Sequence, residues 1–194
     1  MVFYKNLNNT NIILASGSPR RQQFFLDLNI KFEVRLKEIE EVYPPHLAAA
    51  EIPQFLAELK ANAFKDDLKD NDLLITSDTI VWLNDKALGK PNNYNDAFAM
   101  LRDMSGKVHD VITSVCFMTS KETEIITEIT KVYCNTLNDQ EIEYYINTFE
   151  PYDKAGAYGI QDWIGLIAVK KIEGSYANVM GMPVDKVYEY LKNF

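Results

Sequence analysis

The sequence predicts an α/β protein built on a mixed β-sheet with flanking helices. Strand-like apolar runs and helical periodicities alternate along the chain, and the middle of the chain reads as a hairpin. A purely parallel sheet would need a long crossover between strands, so the hairpin disfavours a Rossmann fold. The 194 residues, 47% of them hydrophobic, suit one domain, with or without two lobes, spanning residues 1–194. No internal repeat, low-complexity tract or long linker interrupts it.

Asn11–Ala15 reads as a short buried strand. Ser18 and Pro19 then open a helix, serine as N-cap and proline at the first position. That helix runs to about Leu28 and is expected to bury Phe24, Phe25 and Leu28. Phe32–Leu36 reads as a strand. Pro53 opens a second helix with Leu56, Leu59 and Ala63 at helical spacing. Leu73–Leu83 is a long β-prone run. Asn95–Met104 is a helix closed by Gly106. Val108–Met118 and Glu124–Asn135 form the two arms of the hairpin. Asn138 and Glu141 have capping-box spacing ahead of a helix over Ile142–Phe149. A loop rich in glycine and tyrosine follows, then a strand over Leu166–Ile172. Pro183 opens a C-terminal helix.

Formal net charge is −8. That argues against a nucleic-acid partner, since polyanion binding draws on a surplus of lysine and arginine. A small anionic substrate needs only a local basic pocket. Cys116 and Cys134 sit in apolar, strand-like runs and read as buried free thiols of a reducing compartment, with a disulfide as the other reading. The N-terminal Met1–Asn9 has no signal-peptide core, and no run approaches a membrane span. A cytoplasmic protein without a membrane partner is the expectation.

Function tends to show where a chain breaks its own local rules. In Ser16-Gly17-Ser18-Pro19-Arg20-Arg21, two arginines occupy the first turn of a helix, where the macrodipole disfavours cations. They are either solvated side chains or part of a phosphate cradle. In the cradle, helix N–H groups, the Ser16 and Ser18 hydroxyls and the guanidiniums would grip oxygens. Asp78 interrupts an apolar strand, which is costly for a lone carboxylate. It marks a solvated bulge, or a carboxylate held by Thr76, Ser77 and Thr79 to bind a metal or activate water. Lys90 is framed by Gly89 and Pro91. Lys60 borders an apolar helical stripe, as snorkelling lysines do. Glu40 and Glu41 form an acidic pair, a solvated face or the completion of a metal site. Asp153–Gln161 is too rich in small residues for regular structure. Such a loop lets backbone approach a ligand, and Gln161 carries both a donor and an acceptor for a base edge. His46 and His109 have no ligand spacing. Walker, Rossmann, zinc and nucleophile-elbow patterns are all missing, so neither P-loop nor covalent serine chemistry is expected.

These motifs resemble the Maf family of nucleotide pyrophosphatases. The resemblance rests on Leu14–Arg21, Ser77–Val81, Leu88–Pro91, Met104–Lys107, Glu150-Pro151, Asp153–Gln161 and Gly174–Pro183, in the family's order over nearly the whole chain. It implies a two-lobed mixed-sheet fold related to inosine triphosphate pyrophosphatases, homodimeric in many members. It also implies a divalent cation, Mg²⁺ or Mn²⁺. The aspartate matching Asp78 is the proton acceptor in that family, and the positions of Arg20, Thr79 and Gln161 tune base choice. Arginine, threonine and glutamine at those positions match the dTTP/UTP branch. The N7-methylguanosine branch tends to carry tryptophan and glutamate in place of Arg20 and Gln161. One departure is Asp162-Trp163, where many members continue with glycine. It is expected to alter only the rim of the base pocket.

The expected reaction is hydrolysis of a nucleoside triphosphate to monophosphate and pyrophosphate. Arg20, Arg21, Lys60 and Lys90 would neutralise phosphate, and the Ser16–Ser18 loop would donate hydrogen bonds. Asp78, with Glu41, would orient the metal and take a proton from water. Two rivals are a nucleotide-binding regulator of cell division with little turnover and a purine house-cleaning enzyme.

Overall fold

Ile12, Ile13 and Leu14 are all buried, as befits a short strand covered on both faces. They form β1 (Asn11–Leu14) of a seven-stranded sheet with β2 (Glu33–Val34), β3 (Asp72–Leu83), β4 (Lys86–Leu88), β5 (Val108–Met118), β6 (Thr123–Cys134) and β7 (Val169–Glu173). The computed structural model describes residues 7–194. Residues 1–6, within the segment read above as lacking a signal-peptide core, lie outside the described residues. The strand order is β2-β1-β3-β5-β6-β7, with β4 paired to β3. β1 runs parallel to β2 and β3, whereas β4 and β7 are antiparallel to β3 and β6, so the sheet is mixed. The hairpin turn between β5 and β6 is closed by Thr119, whose N–H donates to Glu122 O and whose Oγ1 accepts from Lys121 and Glu122 N–H.

The helices are α1 (Pro19–Asp27), α2 (Glu51–Asn62), α3 (Tyr94–Met104), α4 (Asp139–Phe149), α5 (Trp163–Ala168), α6 (Tyr176–Val179) and α7 (Val184–Asn193). The capping box forms in both directions. Glu141 N–H donates to Asn138 Oδ1 at 3.0 Å and Asn138 N–H to Glu141 Oε2 at 2.8 Å. Asn93 caps α3 in one direction only, its Oδ1 accepting from Asp96 N–H.

Several elements differ from expectation. β2 keeps only two of the five residues predicted; Phe32, just before it, packs on Phe25, with ring centroids 5.4 Å apart and the rings tilted by 59°. α2 starts two residues before Pro53. In the first turn a proline forfeits no helical hydrogen bond. The buried stripe of α2 is Ile52, Leu56, Ala57 and Ala61, whereas Ala63 is exposed. Leu166–Ala168, expected as strand, belongs to α5. Ile164 and Ala168, four residues apart, face the core, and Leu166 between them is 81% exposed. The short β4 and α6 had no periodicity long enough to reveal them. Pro183 does open the C-terminal helix, at the N-cap position of α7.

The chain forms two compact units. Among the described residues the first comprises 7–78, 113–128 and 181–194, and the second 79–112 and 129–180. β3, β5 and β6 each supply residues to both. In the first unit the two strand faces pack different helices, as a period of two requires. Ile12, Leu14, Leu73, Ile75, Val115 and Phe117 meet Phe25 of α1 and Val187 and Leu191 of α7. Ile13, Leu74, Cys116 and Met118 meet Ala57 and Ala61 of α2 and Phe64. In the second unit Val81, Leu83, Val111 and Val132 pack against α3, α4 and α5 through Leu101, Met104, Ile142, Tyr145, Ile146 and Ile164.

Both cysteines are free thiols, Cys116 in the first unit and Cys134 in the second. Burial pushes Cys116 up to about 12 and Cys134 up to about 11. Cys134 Sγ lies 3.8 Å from His109 Nδ1, and His109 Nε2 shares a 2.8 Å hydrogen bond with Tyr158 Oη. Burial pushes the His109 imidazole down to about 4, with the Asp110 carboxylate opposing weakly.

Two consequences are measurable. A Cβ at Gly165 would fall 1.9 Å from Ile160 O, a backbone atom that cannot step aside. Gly165→Ala should therefore cost about 2 kcal/mol or more, as overpacking does, read as a lower midpoint in urea. The second concerns acid. An unfolded histidine titrates near ~6.5, so between that pH and about 4 only the unfolded chain takes up this proton. The stability tied to neutral His109 is complete above that window and falls as pH drops through it, by about 2 kcal/mol at pH ~5. Thermal melts of wild type and His109→Gln should show the variant losing less stability between pH ~7 and ~5. Identical acid sensitivity would mean that His109 is not held neutral.

Candidate active site

In the first unit the register of β1 on β3 decides which loops become neighbours. Leu14 pairs with Ile75, and Ala15 N–H donates to Ile75 O at 2.9 Å. β1 ends at Leu14 while β3 runs on to Leu83, so the Ser16–Arg21 loop leaves the carboxyl end of β1 beside the Ser77-Asp78 stretch of β3. Open α/β sheets bind ligands at such a position.

The loop enters α1 at Ser18, which holds the N-cap position with extended backbone, but its hydroxyl makes no capping bond. Ser16 substitutes in part, its buried Oγ accepting from Ser18 N–H at 3.3 Å. Gln22 Nε2 donates to Ser16 O at 3.0 Å and fixes the loop from below. Arg20 is half-buried on the first turn. Arg21 is directed inward: its Nε donates to Gly181 O and its Nη1 to Ser77 O, each at 2.8 Å. Burial lowers its guanidinium from the ordinary value, and the Asp78 charge works against that shift. Arg21 therefore braces the stretch of β3 that carries Asp78.

Asp78 is buried and meets Lys60 of α2, with Nζ to Oδ1 at 2.6 Å. The same ammonium lies 3.1 Å from Glu41 Oε2. A carboxylate in the apolar run thus has a cation partner, which offsets its desolvation. Thr76 was expected to help hold Asp78. Its hydroxyl instead donates to Ala57 O at 2.6 Å, tying β3 to α2 three residues before Lys60. Ser77 Oγ is buried and has no hydrogen-bond partner among the described residues. Glu40 is exposed, and no residue of the Asp78 cluster pairs with it in the described ion pairs. His46 is exposed and His109 serves the second unit's core.

Thr79, Lys90 and Gln161 belong to the second unit. Thr79 is half-buried, Lys90 and Gln161 exposed. Gly89 O accepts from Gly156 N–H at 2.9 Å, so the turn bearing Lys90 is fastened to the loop bearing Gln161. That loop is held at two further points. Tyr158 Oη bonds His109, and Tyr145 Oη accepts from Gly159 N–H at 3.1 Å while donating to Asp162 Oδ2 at 2.8 Å. Sequence reasoning missed Tyr145 altogether, since a tyrosine on an amphipathic helix reads as core. It placed Asp162 at a pocket rim, whereas the carboxylate is turned back into the loop.

The donor set at Asp78 suits a hard divalent cation in kind. Two carboxylates share one lysine, and magnesium commonly takes one or two protein carboxylates, with phosphate and water completing the shell. No group of three or more His, Cys, Asp or Glu suited to a metal exists among the described residues.

Comparison with known proteins agrees with this architecture. The Maf family profile, described as Maf-like protein, matches residues 11–194. A Flavobacterium johnsoniae protein named dTTP/UTP pyrophosphatase is 61% identical over 187 residues, covering 96% of each chain. A Flavobacterium psychrophilum protein of the same name is 59% identical over 189 residues, covering 97% of each. The structure of the Staphylococcus aureus Ham1 protein has a similar fold, with a TM-score of 0.52 at 14% identity over 95% of this chain and 99% of that one. By its profile match and its nearly full-length relatives, this chain belongs to the Maf family.

Proposed function

We propose that this protein hydrolyses dTTP and UTP between the α- and β-phosphates, releasing the monophosphate and pyrophosphate. The observation that carries the reading is the ion-paired cluster of buried Asp78 with Lys60 and exposed Glu41, beside the Ser16–Arg21 loop at the carboxyl end of β1. The names of relatives at up to 61% identity support the substrate.

On this reading Asp78 is the proton acceptor for the attacking water, held in place by Lys60 and by the Arg21 brace on Ser77. The Ser16 and Ser18 hydroxyls and Arg20 receive phosphate oxygens at the start of α1. Lys60 and Lys90 add positive charge, which matters most when catalysis is largely positioning and charge stabilisation. Arg20, Thr79 and Gln161 read the base. A Mg²⁺ or Mn²⁺ ion would be held by Asp78 and Glu41, and when bound it supplies neutralisation of phosphate charge. The working form is a cytoplasmic homodimer that binds a small nucleotide and neither nucleic acid nor membrane. The net charge of −8 and the lack, among the described residues, of a helix long and apolar enough to cross a membrane are in keeping with that.

Asp78→Asn keeps the side chain's shape but cannot accept a proton. It should lower kcat by about 10²–10⁴-fold while the melting transition stays cooperative. A near wild-type kcat would remove Asp78 from the chemistry. A substrate panel with products identified tests the reaction itself. Pyrophosphate should appear, and kcat/KM for dTTP and UTP should exceed that for N7-methyl-GTP by about 10²-fold, since a mismatched base leaves buried polar groups unpaired. Nucleotide binding without pyrophosphate would favour a regulatory role instead.

A further inference from the structure

Lys60 stands on the last turn of α2, and its ammonium touches two carboxylates, Asp78 Oδ1 at 2.6 Å and Glu41 Oε2 at 3.1 Å. A lysine at the edge of an apolar stripe ordinarily carries its charge out to water. Here the charge is turned inward, and the side chain is only 15% exposed. Its backbone is tied down, because Thr76 Oγ1 donates to Ala57 O and joins α2 to β3 three residues earlier. The side chain has more freedom. A flexible four-carbon stem and three rotatable donors let the ammonium serve different oxygens.

Carboxylate oxygens are also what Mg²⁺ and Mn²⁺ take from a protein, so the ammonium is a stand-in for such an ion. One ammonium balances only one of the two carboxylates, and the pair keeps an attraction for a doubly charged cation. Two cations cannot share these oxygens, because like charges at contact distance in a largely buried place repel strongly. Lys60 must therefore leave for a divalent ion to be held by Asp78 and Glu41. Breaking a largely buried ion pair is costly unless another anion receives the lysine. The proposed function supplies one, a nucleotide phosphate at the Ser16–Arg21 loop, beside the Ser77-Asp78 stretch of β3. Arg21 is unsuited to the exchange, since its guanidinium is committed to Ser77 O and Gly181 O.

We propose that Lys60 is a placeholder for the divalent cation, handed over to phosphate when the nucleotide binds. Before binding it holds Asp78 and Glu41 and opposes free cations. After binding it neutralises phosphate and leaves the two carboxylates to the metal. Cation and nucleotide then depend on each other, and by linkage each raises the affinity of the other by the same factor. The inference rests on the proposed assignment of Asp78 and Glu41 to a metal ion. It adds that this protein discriminates against the cation alone and accepts it together with the triphosphate.

The test follows free Mn²⁺ by its EPR signal during titration of nucleotide-free wild type and Lys60→Met, with melting curves to verify folding. The variant should hold Mn²⁺ about 10-fold more tightly than wild type, within the usual range of such couplings, although its turnover falls. In the complex with α,β-imido-UTP, whose bridging nitrogen resists cleavage, the gap should close. Acetylation of lysines in wild type, located by mass spectrometry, reads the same exchange without a mutation. Lys60 should react slowly in the protein alone and several times faster with saturating Mn²⁺. With Mn²⁺ and α,β-imido-UTP together it should be protected again. Equal Mn²⁺ affinity in the two proteins overturns the proposal, as does a Lys60 acetylation rate that saturating Mn²⁺ leaves unchanged. Should Lys60→Met fail to fold, the acetylation decides alone. A wild type that holds no Mn²⁺, with or without the analogue, removes the metal assignment and this proposal together. Mn²⁺ held by wild type and lost in Asp78→Asn, with no response at Lys60, removes the Lys60 role alone.

Discussion

The parallel pairing of β1 with β3 is the constraint on which the first unit's chemistry depends. Four register pairs, from Asn11 with Asp72 to Leu14 with Ile75, set the carboxyl end of β1 beside the middle of β3. Everything polar in this unit's cluster follows from that alignment. The serine loop leaves β1 where β3 still has Thr76, Ser77 and Asp78 to run. Arg21, the third residue of its helix, is then within reach of the carbonyl of Ser77. The strands themselves are covered by helices on both faces, so the end of β1 is the natural outlet for the polar loop.

The buried charges form a chain of dependence. Asp78 requires Lys60, Lys60 requires that α2 be seated on the sheet, and Thr76 supplies a hydroxyl that helps seat it. Removing one partner of a buried pair costs more than the pair contributes, because the other charge is left without compensation. The arrangement is thus selective in what it tolerates. Changes at exposed Glu41 leave the pair intact, whereas changes at Lys60 leave a carboxylate among apolar neighbours.

Much of this was legible in the residues. Long apolar runs gave β3 and β5 almost to the residue, and the Asn138–Glu141 spacing located α4 through a bond pattern that is purely local. The elements that escaped were those decided by tertiary context. Ile164–Val169 is apolar throughout, and only the choice of which residues to bury separates helix from strand. Asp78 stood out by violating its surroundings, but nothing in the sequence said that its partner would be Lys60, a residue that reads as an ordinary boundary lysine. Arg21 was expected to face a ligand. The carbonyls of Ser77 and Gly181 that receive it come from segments 56 and 160 residues away, beyond any local pattern. Asp162 shows the same limit, since its meaning lies in a tyrosine on another element.

The distribution of sulfur has a consequence of its own. Each compact unit holds one cysteine, and each thiol is driven by burial far toward its protonated, unreactive form. Alkylation of either sulfur therefore waits for the surrounding packing to open. The two residues act as separate clocks, Cys116 recording excursions of the first unit and Cys134 those of the second. The chain thereby carries, without any engineering, a way to ask whether its two cores loosen together or one at a time.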